Sequence, residues 1–231
     1  MTVQRYFTQR AINFDALYDE SRLLHFINRL LRRGMFERVR LTVEEMQKMK
    51  DFSVLDVGSG SGRNSVLFGE AGAKKVLGID FSATMIKLAN AFSREHGMEG
   101  VCRFIRADFS LHYCEEKFDV VVALGVFDYI ADPVTFLRRM SNLANRKVIA
   151  SFPARSWPRS PLRKIRYAMR NCPLYFYTRQ QLEEICGKAG LAEYRVVPYA
   201  SSGFLVIGEI NTAVGDPIAN EKISSTPSHR P

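Results

Sequence analysis

The sequence predicts an α/β fold in which a mostly parallel sheet carries helices on both faces. Short apolar runs alternate with helical patterns along the middle of the chain, as is typical of parallel strands joined by helices. The runs VLDV, VVVAL and KVIASF are apolar throughout, which indicates strands buried on both sides. The chain has 231 residues, of which 46% are hydrophobic, so it can bury the core of one domain with appendages.

The elements follow one another in a regular order. An N-terminal helical segment is predicted at 14–48, where leucine and isoleucine recur at helical spacing. Ser82, Asp132 and Thr178 are the expected first residues of three later helices. The runs AEYRVVPY and FLVIGEI, separated by ASSG, predict a closing hairpin. The five strands before that hairpin are predicted at 53–57, 75–80, 102–108, 119–124 and 147–152.

The composition limits the class of protein. The formal charge of +9 and the sequence pI near 9.5 favour anionic partners. No apolar run reaches the roughly 18 residues of a membrane span, and the N-terminus has no apolar signal region. The cysteines are scattered, and no cysteine or histidine pair has metal-ligand spacing. These observations predict a cytoplasmic protein with reduced thiols and no metal site.

A glycine-rich loop, GSGSG, follows the first predicted strand and opens a helix. Its glycines, Gly58, Gly60 and Gly62, let a ligand approach the backbone at the carboxyl end of the strand. A dinucleotide loop has another glycine where this sequence has Arg63. Asp56, just before the loop, would repel a pyrophosphate but can attract an ammonium group, directly or through water. The loop therefore favours a cofactor that carries an amino acid, and the alternative is a tight turn without a ligand.

Two further carboxylates follow the next two strands. Asp80 lies at the tip of the second strand, where an acidic residue can accept hydrogen bonds from ribose hydroxyls. Asp108, at the end of the third strand, can accept a hydrogen bond from an exocyclic amino group, and Phe109 can supply an apolar face beside that ring. Met85 can pack on the other face of the ring, or it can be an ordinary core methionine.

The ordered set VLDVGSGSG, GIDFS, RADF and FDVVVALGVFDYI resembles the class I S-adenosylmethionine-dependent methyltransferases over residues 50–210. The resemblance implies a Rossmann-like, seven-stranded sheet with a reversed final hairpin. It also implies S-adenosylmethionine as the cofactor, S-adenosylhomocysteine as the product, and no metal. The implied cofactor-binding residues are Asp56, Gly58, Ser59, Gly60, Gly62, Asp80, Phe81, Met85, Asp108, Phe109, Leu124 and Gly125.

Two segments are similar to the magnesium-protoporphyrin and ubiquinone-type O-methyltransferases, namely FDALYDE and the SFPARS run after the fifth strand. Tyr18, in FDALYDE, matches an active-site tyrosine of the porphyrin family, and core packing is the alternative. N-terminal helices usually form a lid in this superfamily. The expected organisation is an N-terminal helical lid at 1–49, a cofactor-binding domain at 50–210 with an acceptor-site insertion at 153–177, and a disordered tail at 211–231.

The run after the fourth strand, LGVFDYIADP, faces the transferred methyl group in proteins of this superfamily. Related families often carry a histidine there, whereas this sequence has Tyr129 beside Asp128. Either side chain can orient or deprotonate a hydroxyl acceptor, while a carboxylate acceptor is already ionised and needs no base. In the alternative interpretation, Tyr129 is a pocket wall and Asp128 is a helix-cap or surface residue.

A basic segment with interleaved aromatic residues covers 155–177. It carries six cations and no acid between 155 and 170, and Trp157 and other apolar residues lie among them. Such a segment can bind a phosphate, a carboxylate or a lipid head group, and it can lie on an anionic membrane. A solvated charged surface is the alternative. Three of the cations share one predicted helix face: Arg163, Arg166 and Arg170.

We therefore predict methyl transfer to an oxygen of a small or lipid-linked, anionic acceptor. The high pI makes nucleic-acid methylation a rival, but GVFDYI stands where amino-methylating enzymes usually have a D/N-P-P-aromatic run. A second rival is a protein that binds S-adenosylmethionine without turnover, because the sequence shows no clear catalytic base.

Overall fold

A computed structural model describes residues 25–112, 116–155, 174–200 and 203–210, with side chains from residue 33 onwards. Within these residues the chain forms five helices and seven strands. The helices are α1 His25–Gln47, α2 Arg63–Glu70, α3 Ala83–Glu95, α4 Pro133–Leu143 and α5 Arg179–Ala189. The strands are β1 Phe52–Val57, β2 Ala73–Asp80, β3 Cys102–Arg106, β4 Phe118–Ala123, β5 Ala144–Pro153, β6 Glu193–Tyr199 and β7 Gly203–Glu209.

The seven strands form one sheet in the order β3-β2-β1-β4-β5-β7-β6. The first five strands in this order, β3, β2, β1, β4 and β5, run parallel to one another. Strand β7 is antiparallel to both β5 and β6. The predicted seven-stranded sheet with a reversed C-terminal hairpin is therefore confirmed. The strand order reverses between β1 and β4, so the carboxyl ends of these two strands border the crevice where such sheets bind ligands.

Hydrophobic side chains pack on both faces of the sheet. Val121 of β4 is fully buried in a cluster that contains Leu137 of α4. Val122, the next residue, points to the opposite face and lies in a second cluster with Met46 of α1. The central strand is thus covered on both sides, as its apolar run predicts.

Short polar side chains begin three of the helices, as predicted from the sequence. Ser82 accepts a hydrogen bond from the Met85 amide at 3.4 Å, and Asp132 accepts one from the Thr135 amide at 3.1 Å. Thr178 begins α5 with a complete capping box. Several strand boundaries differ from the prediction by one to three residues, and two of them matter here. Strand β5 begins earlier, at 144, where it pairs with the start of β4, and β3 ends at 106, which leaves Asp108 in a loop.

A buried carboxylate ties α1 to the sheet. Glu45 of α1 accepts hydrogen bonds from Lys48 at 2.6 Å and from Arg195 of β6 at 3.0 Å. Lys147 of β5 lies 3.8 Å away from the same carboxylate. Burial alone would raise the pKa of Glu45, but the hydrogen bonds from Lys48 and Arg195 hold it below its usual value. The C-terminal half of α1 is therefore fixed against β5 and β6.

Within the part of the chain that the structure describes, no helix is both long and apolar enough to cross a membrane. The division into a lid, a central domain with an insertion and a tail stays a prediction. Most of the lid, most of the insertion and the tail itself lie outside the described residues.

Candidate cofactor and acceptor site

The loop between β1 and α2 is shaped by its glycines. Gly58 has a φ of 73°, and a Cβ at this position would lie only 2.5 Å from Cγ2 of Val126 in the loop after β4. Gly60 has a φ of 54°, and a Cβ there would meet nothing within 4 Å. The lack of a side chain at Gly58 thus lets the glycine loop approach the loop after β4, and the lack of one at Gly60 leaves the backbone there open to a ligand.

Asp80 lies at the carboxyl end of β2 and connects two helix starts. Its carboxylate accepts hydrogen bonds from the Gly60 amide at 3.1 Å and from the Ser82 amide at 2.8 Å. Burial raises the pKa of Asp80, and these two hydrogen bonds only partly oppose the increase. The carboxylate is therefore held rigidly beside the glycine loop, in the place expected for a ribose ligand. Its contact with ribose stays a prediction.

Asp56, which precedes the glycine loop, is buried behind it. Asp56 is only 2% exposed, and one of its carboxylate oxygens accepts a hydrogen bond from the Ser65 hydroxyl at 2.6 Å. Burial raises the pKa of Asp56 to about 7, and the nearby charge of Asp80 acts in the same direction. This burial favours the indirect form of its predicted role, in which Asp56 acts on an ammonium group through water.

The loop after β3 separates two of the predicted adenine contacts. Asp108 is exposed and accepts a hydrogen bond from the Ser110 amide at 2.9 Å. Phe109 is only 6% exposed, and its ring packs in the core with a centroid distance of 5.0 Å to Phe136. The Arg139 guanidinium lies 5.2 Å from the same ring. Asp108 is thus available to an adenine, whereas Phe109 supports the loop from the core and presents no open face.

The remaining predicted cofactor residues differ in exposure. Met85 is 6% exposed on α3, so the structure leaves little of it for contact with a ring. Phe81 is partly exposed, and its carbonyl accepts a hydrogen bond from Arg106 at 3.2 Å. Ser59 is buried, and its hydroxyl has no hydrogen-bond partner among the described residues. Leu124 is 7% exposed and leads into the loop after β4. These contacts stay predictions.

Arg38 of α1 reaches this site, although nothing in the sequence distinguishes it from the other arginines. A Cβ on Gly125, in the loop after β4, would lie 2.9 Å from a terminal guanidinium nitrogen of Arg38. Its Nε is buried and has no hydrogen-bond partner among the residues described. A half-buried guanidinium at this edge of the crevice is suited to a carboxylate. Only the packing of α1 over the sheet brings it there, so spacing in the sequence cannot reveal it.

These residues fit the chemistry of S-adenosylmethionine. Its amino-acid end carries a carboxylate that Arg38 can bind, and its ribose offers hydroxyl donors to Asp80. Asp108 can accept a hydrogen bond from its adenine. In the described ranges, no group of three or more histidine, cysteine, aspartate or glutamate side chains is placed to hold a metal ion.

The loop after β4 contains Asp128, which is only 9% exposed. Its backbone carbonyl accepts a hydrogen bond from the Tyr175 amide at 2.9 Å. The next residue, Tyr129, is half-buried, and its amide donates to the Val126 carbonyl at 3.0 Å. Because Asp132 caps α4, Asp128 is neither a surface residue nor the helix cap, and these two alternatives are wrong. Its catalytic role and that of Tyr129 stay predictions.

Tyr177 connects the end of β5 with the loop after β4. Its hydroxyl donates to the Phe127 carbonyl at 3.2 Å, and its amide donates to the Pro153 carbonyl at 3.0 Å. Burial raises its pKa, and the charge of Asp128 acts in the same direction, so the hydroxyl stays protonated. Arg155 donates its amide to the Tyr177 carbonyl at 3.0 Å. The two described ends of the basic segment therefore meet at Tyr177, whose hydroxyl is bonded to the loop after β4.

Five predicted site residues lie outside the described residues. They are the N-terminal tyrosine and four residues of the basic segment, namely Tyr18, Trp157, Arg163, Arg166 and Arg170.

Solved structures of methyltransferases share this fold. Magnesium protoporphyrin IX methyltransferase from Synechocystis, with bound SAH, has a TM-score of 0.74 and 21% identity, and the match covers 90% of this chain and 98% of that chain. A SAM-dependent methyltransferase from Aquifex aeolicus has a TM-score of 0.57 and 19% identity, over 78% of this chain and 93% of that chain. At these identities the likeness shows the fold alone.

Curated relatives match part of the chain at higher identity. A ubiquinone biosynthesis O-methyltransferase from Pseudomonas fluorescens is 33% identical over 119 residues, which are 52% of this chain and 47% of that protein. A ribosomal protein methyltransferase from Alkaliphilus oremlandii is 34% identical over 92 residues, which are 39% of this chain and 29% of that protein. The chain thus spans less than half the length of either relative.

A family model described as a methyltransferase domain matches residues 30–171, which is more than half of the chain. This match covers the glycine loop, Asp80 and the loop after β4. The chain therefore belongs to the methyltransferase-domain family, within the class I S-adenosylmethionine-dependent methyltransferases.

Proposed function

We propose that this chain transfers a methyl group from S-adenosylmethionine to an oxygen of a small or lipid-linked, anionic acceptor. The observation that carries the proposal is the position of the two described ends of the basic segment. The described end at Tyr175 donates its amide to the Asp128 carbonyl, and the other end, at Arg155, donates its amide to the Tyr177 carbonyl. A segment rich in cations therefore leaves the described chain after β5 and rejoins it beside the loop after β4, which supports a role in binding the acceptor.

Different described residues are proposed to bind different parts of the cofactor. When bound, S-adenosylmethionine supplies an electrophilic methyl group on a sulfonium. In this proposal Arg38 binds the carboxylate of the cofactor, Asp80 binds its ribose hydroxyls, and Asp108 accepts a hydrogen bond from its adenine. Fixing the cofactor at three points limits its motion relative to an acceptor, and such alignment is a large part of catalysis in displacement reactions.

The loop after β4 supplies the groups nearest to an acceptor. An acceptor hydroxyl must lose a proton, and the Asp128 carboxylate can accept it while Tyr129 orients the oxygen. An acceptor carboxylate needs no base, because it is already ionised at neutral pH. The relatives named as O-methyltransferases support oxygen as the acceptor atom in either case.

The basic segment supports an acceptor that carries negative charge. Between 155 and 170 it has six cations and no acid, with apolar side chains among them. Arginine pairs well with phosphate and carboxylate groups, and the apolar residues suit a partly hydrophobic acceptor. The same composition supports peripheral contact with an anionic membrane from the cytoplasm.

The test is methyl transfer into a cell extract. Purified protein and S-adenosylmethionine with a radiolabelled methyl group are incubated with the extract, which is then divided into organic, aqueous small-molecule, nucleic-acid and protein fractions. Asp80→Ala protein, which should not hold the cofactor, is the matched control. Label in the organic or aqueous small-molecule fraction supports the proposal, and only the organic fraction supports a lipid-linked acceptor. Label confined to nucleic acid or protein, or no label at all, would contradict it.

A further inference from the structure

Two buried hydroxyl groups, those of Tyr199 and Ser151, lie behind the candidate site. Tyr199 ends β6 and is 5% exposed, while Ser151 lies in β5 and is 1% exposed. The Tyr199 hydroxyl is hydrogen-bonded both to Ser151 and to Arg38. The Ser151 hydroxyl oxygen also accepts a hydrogen bond from the Gly125 amide at 2.8 Å. A chain of hydrogen bonds therefore connects α1, β6, β5 and the loop after β4.

The first branch of this chain fixes Arg38. A guanidinium has only donors, so in this pair the Tyr199 oxygen accepts and Arg38 donates. The Tyr199 ring is buried and lies directly against Gly203, where an added Cβ would collide with the hydroxyl. Burial raises the pKa of Tyr199, so its hydroxyl stays neutral and keeps a proton. Arg38 is thereby held with its terminal nitrogens over Gly125.

The second branch fixes a backbone carbonyl. The N–H and C=O groups of a trans peptide point in opposite directions. The Gly125 amide points to Ser151 on β5, so the carbonyl of Leu124 in the same peptide points away from β5. Strand β4 lies between β5 and β1, so this carbonyl faces the β1 side, where the glycine loop begins. A carbonyl directed into the crevice is an acceptor for an ammonium group.

We propose that Ser151 and Tyr199 are positioning residues that jointly hold the two receptors for an α-amino acid, the Arg38 guanidinium for its carboxylate and the Leu124 carbonyl for its ammonium group. The ligand is the amino-acid end of the cofactor, so the inference rests on the proposed function for the identity of that cofactor. Neither positioning residue touches the reacting atoms.

The test compares two ligands by calorimetry. S-adenosylmethionine carries the amino acid, whereas 5′-methylthioadenosine keeps the nucleoside and the sulfur-bound methyl group but lacks it. Tyr199→Phe and Ser151→Ala should each raise the Kd for S-adenosylmethionine by roughly three- to tenfold. The Kd for methylthioadenosine should change by less than about twofold. Tyr194→Phe is the control, because its hydroxyl lies on the same strand but donates to the Glu183 carbonyl at 3.4 Å.

A double-mutant cycle then asks whether Tyr199 acts through Arg38. In an Arg38→Met background, Tyr199→Phe should add little to the Kd for S-adenosylmethionine, because the group that it positions is gone. Full additivity would overturn the proposal, and so would equal changes for both ligands or no change for either. Wild-type protein that binds methylthioadenosine as tightly as S-adenosylmethionine would overturn it too. These readouts measure binding alone, so they are distinct from a failure to find methyl transfer in extract.

Discussion

Replacement of Asp56 by asparagine should stabilise the ligand-free protein above neutral pH. Asp56 is 2% exposed, and its carboxylate is bonded to the Ser65 hydroxyl. Asparagine keeps an oxygen that can accept this hydrogen bond and has nearly the same shape, but it carries no charge. The variant therefore removes the cost of an ionised group in the core and retains its main contact.

The pKa of Asp56 gives the size and sign of the effect. Burial raises it from the usual 3.8 to about 7, with Ser65 acting in the opposite direction. Below the lower value both folded and unfolded chains are protonated, and no cost arises. Between the two values only the unfolded chain ionises, so stability falls as pH rises, and above about 7 the loss is complete. A pKa difference of about three corresponds to about 4 kcal/mol at full extent.

The buried amide introduces a cost of its own. Its NH2 group needs a partner, and an unsatisfied donor costs about 1–3 kcal/mol at any pH. We therefore expect a net gain of about 1–3 kcal/mol at pH 8. Because the amide does not titrate, the stability difference between variant and wild type should change by about 3 kcal/mol between pH 5 and pH 8.

Urea unfolding without cofactor, at several pH values across this range, measures the difference directly. The matched control is Asp51→Asn, since Asp51 is an exposed carboxylate paired with Lys74 at 2.7 Å. Its stability difference from wild type should stay within about 0.5 kcal/mol at every pH. An Asp56→Asn difference that is the same at pH 5 and pH 8 would show that the ionised carboxyl is not buried as described.

Three further outcomes are expected. Asp80→Ala should weaken S-adenosylmethionine binding by at least about tenfold, because the ribose hydroxyls lose their acceptor along with the Gly60 and Ser82 amides, and unchanged calorimetric affinity would remove the ribose assignment. Gly58→Ala should lower the free energy of unfolding by about 2 kcal/mol or more, because its φ is positive and the new Cβ would contact Val126. Gly60→Ala should lower it only by the cost of the positive φ, about 1 kcal/mol. Equal losses in urea unfolding would argue against the close approach of Gly58 to Val126. Joint replacement by glutamine of Arg163, Arg166 and Arg170 should raise the acceptor KM in steady-state kinetics and leave the cofactor Kd unchanged in calorimetry. Unchanged acceptor kinetics would assign these arginines to solvated surface.

Much of the fold could be predicted because its signals are local. Strand character comes from short apolar runs, and helix starts come from one capping side chain, as at Ser82 and Thr178. The glycine loop and Asp80 could be predicted for a related reason. Both lie at the ends of neighbouring parallel strands, and such ends meet at one edge of the sheet.

The rest of the site depends on packing that no short stretch of sequence contains. Arg38 reaches the crevice only because α1 crosses the sheet and is fixed there by Glu45. Phe109 follows Asp108 directly, yet one side chain is exposed and the other lies in the core, because the loop turns between them. The buried Asp56 is hydrogen-bonded to Ser65 of the following helix, and residue type alone does not indicate this pairing.

The reversed strand pair also sets the order in which the site can be completed during synthesis. Strand β6 runs parallel to β5 because both are antiparallel to β7, so Tyr199 arrives at the same edge as the glycine loop. A nascent chain emerges from its N-terminus and can pair β1 to β5 before β6 has left the ribosome. Such a chain has Asp80 and the glycine loop but lacks the residue that holds Arg38 in place. Full affinity for the cofactor therefore has to wait until the final hairpin has emerged and docked.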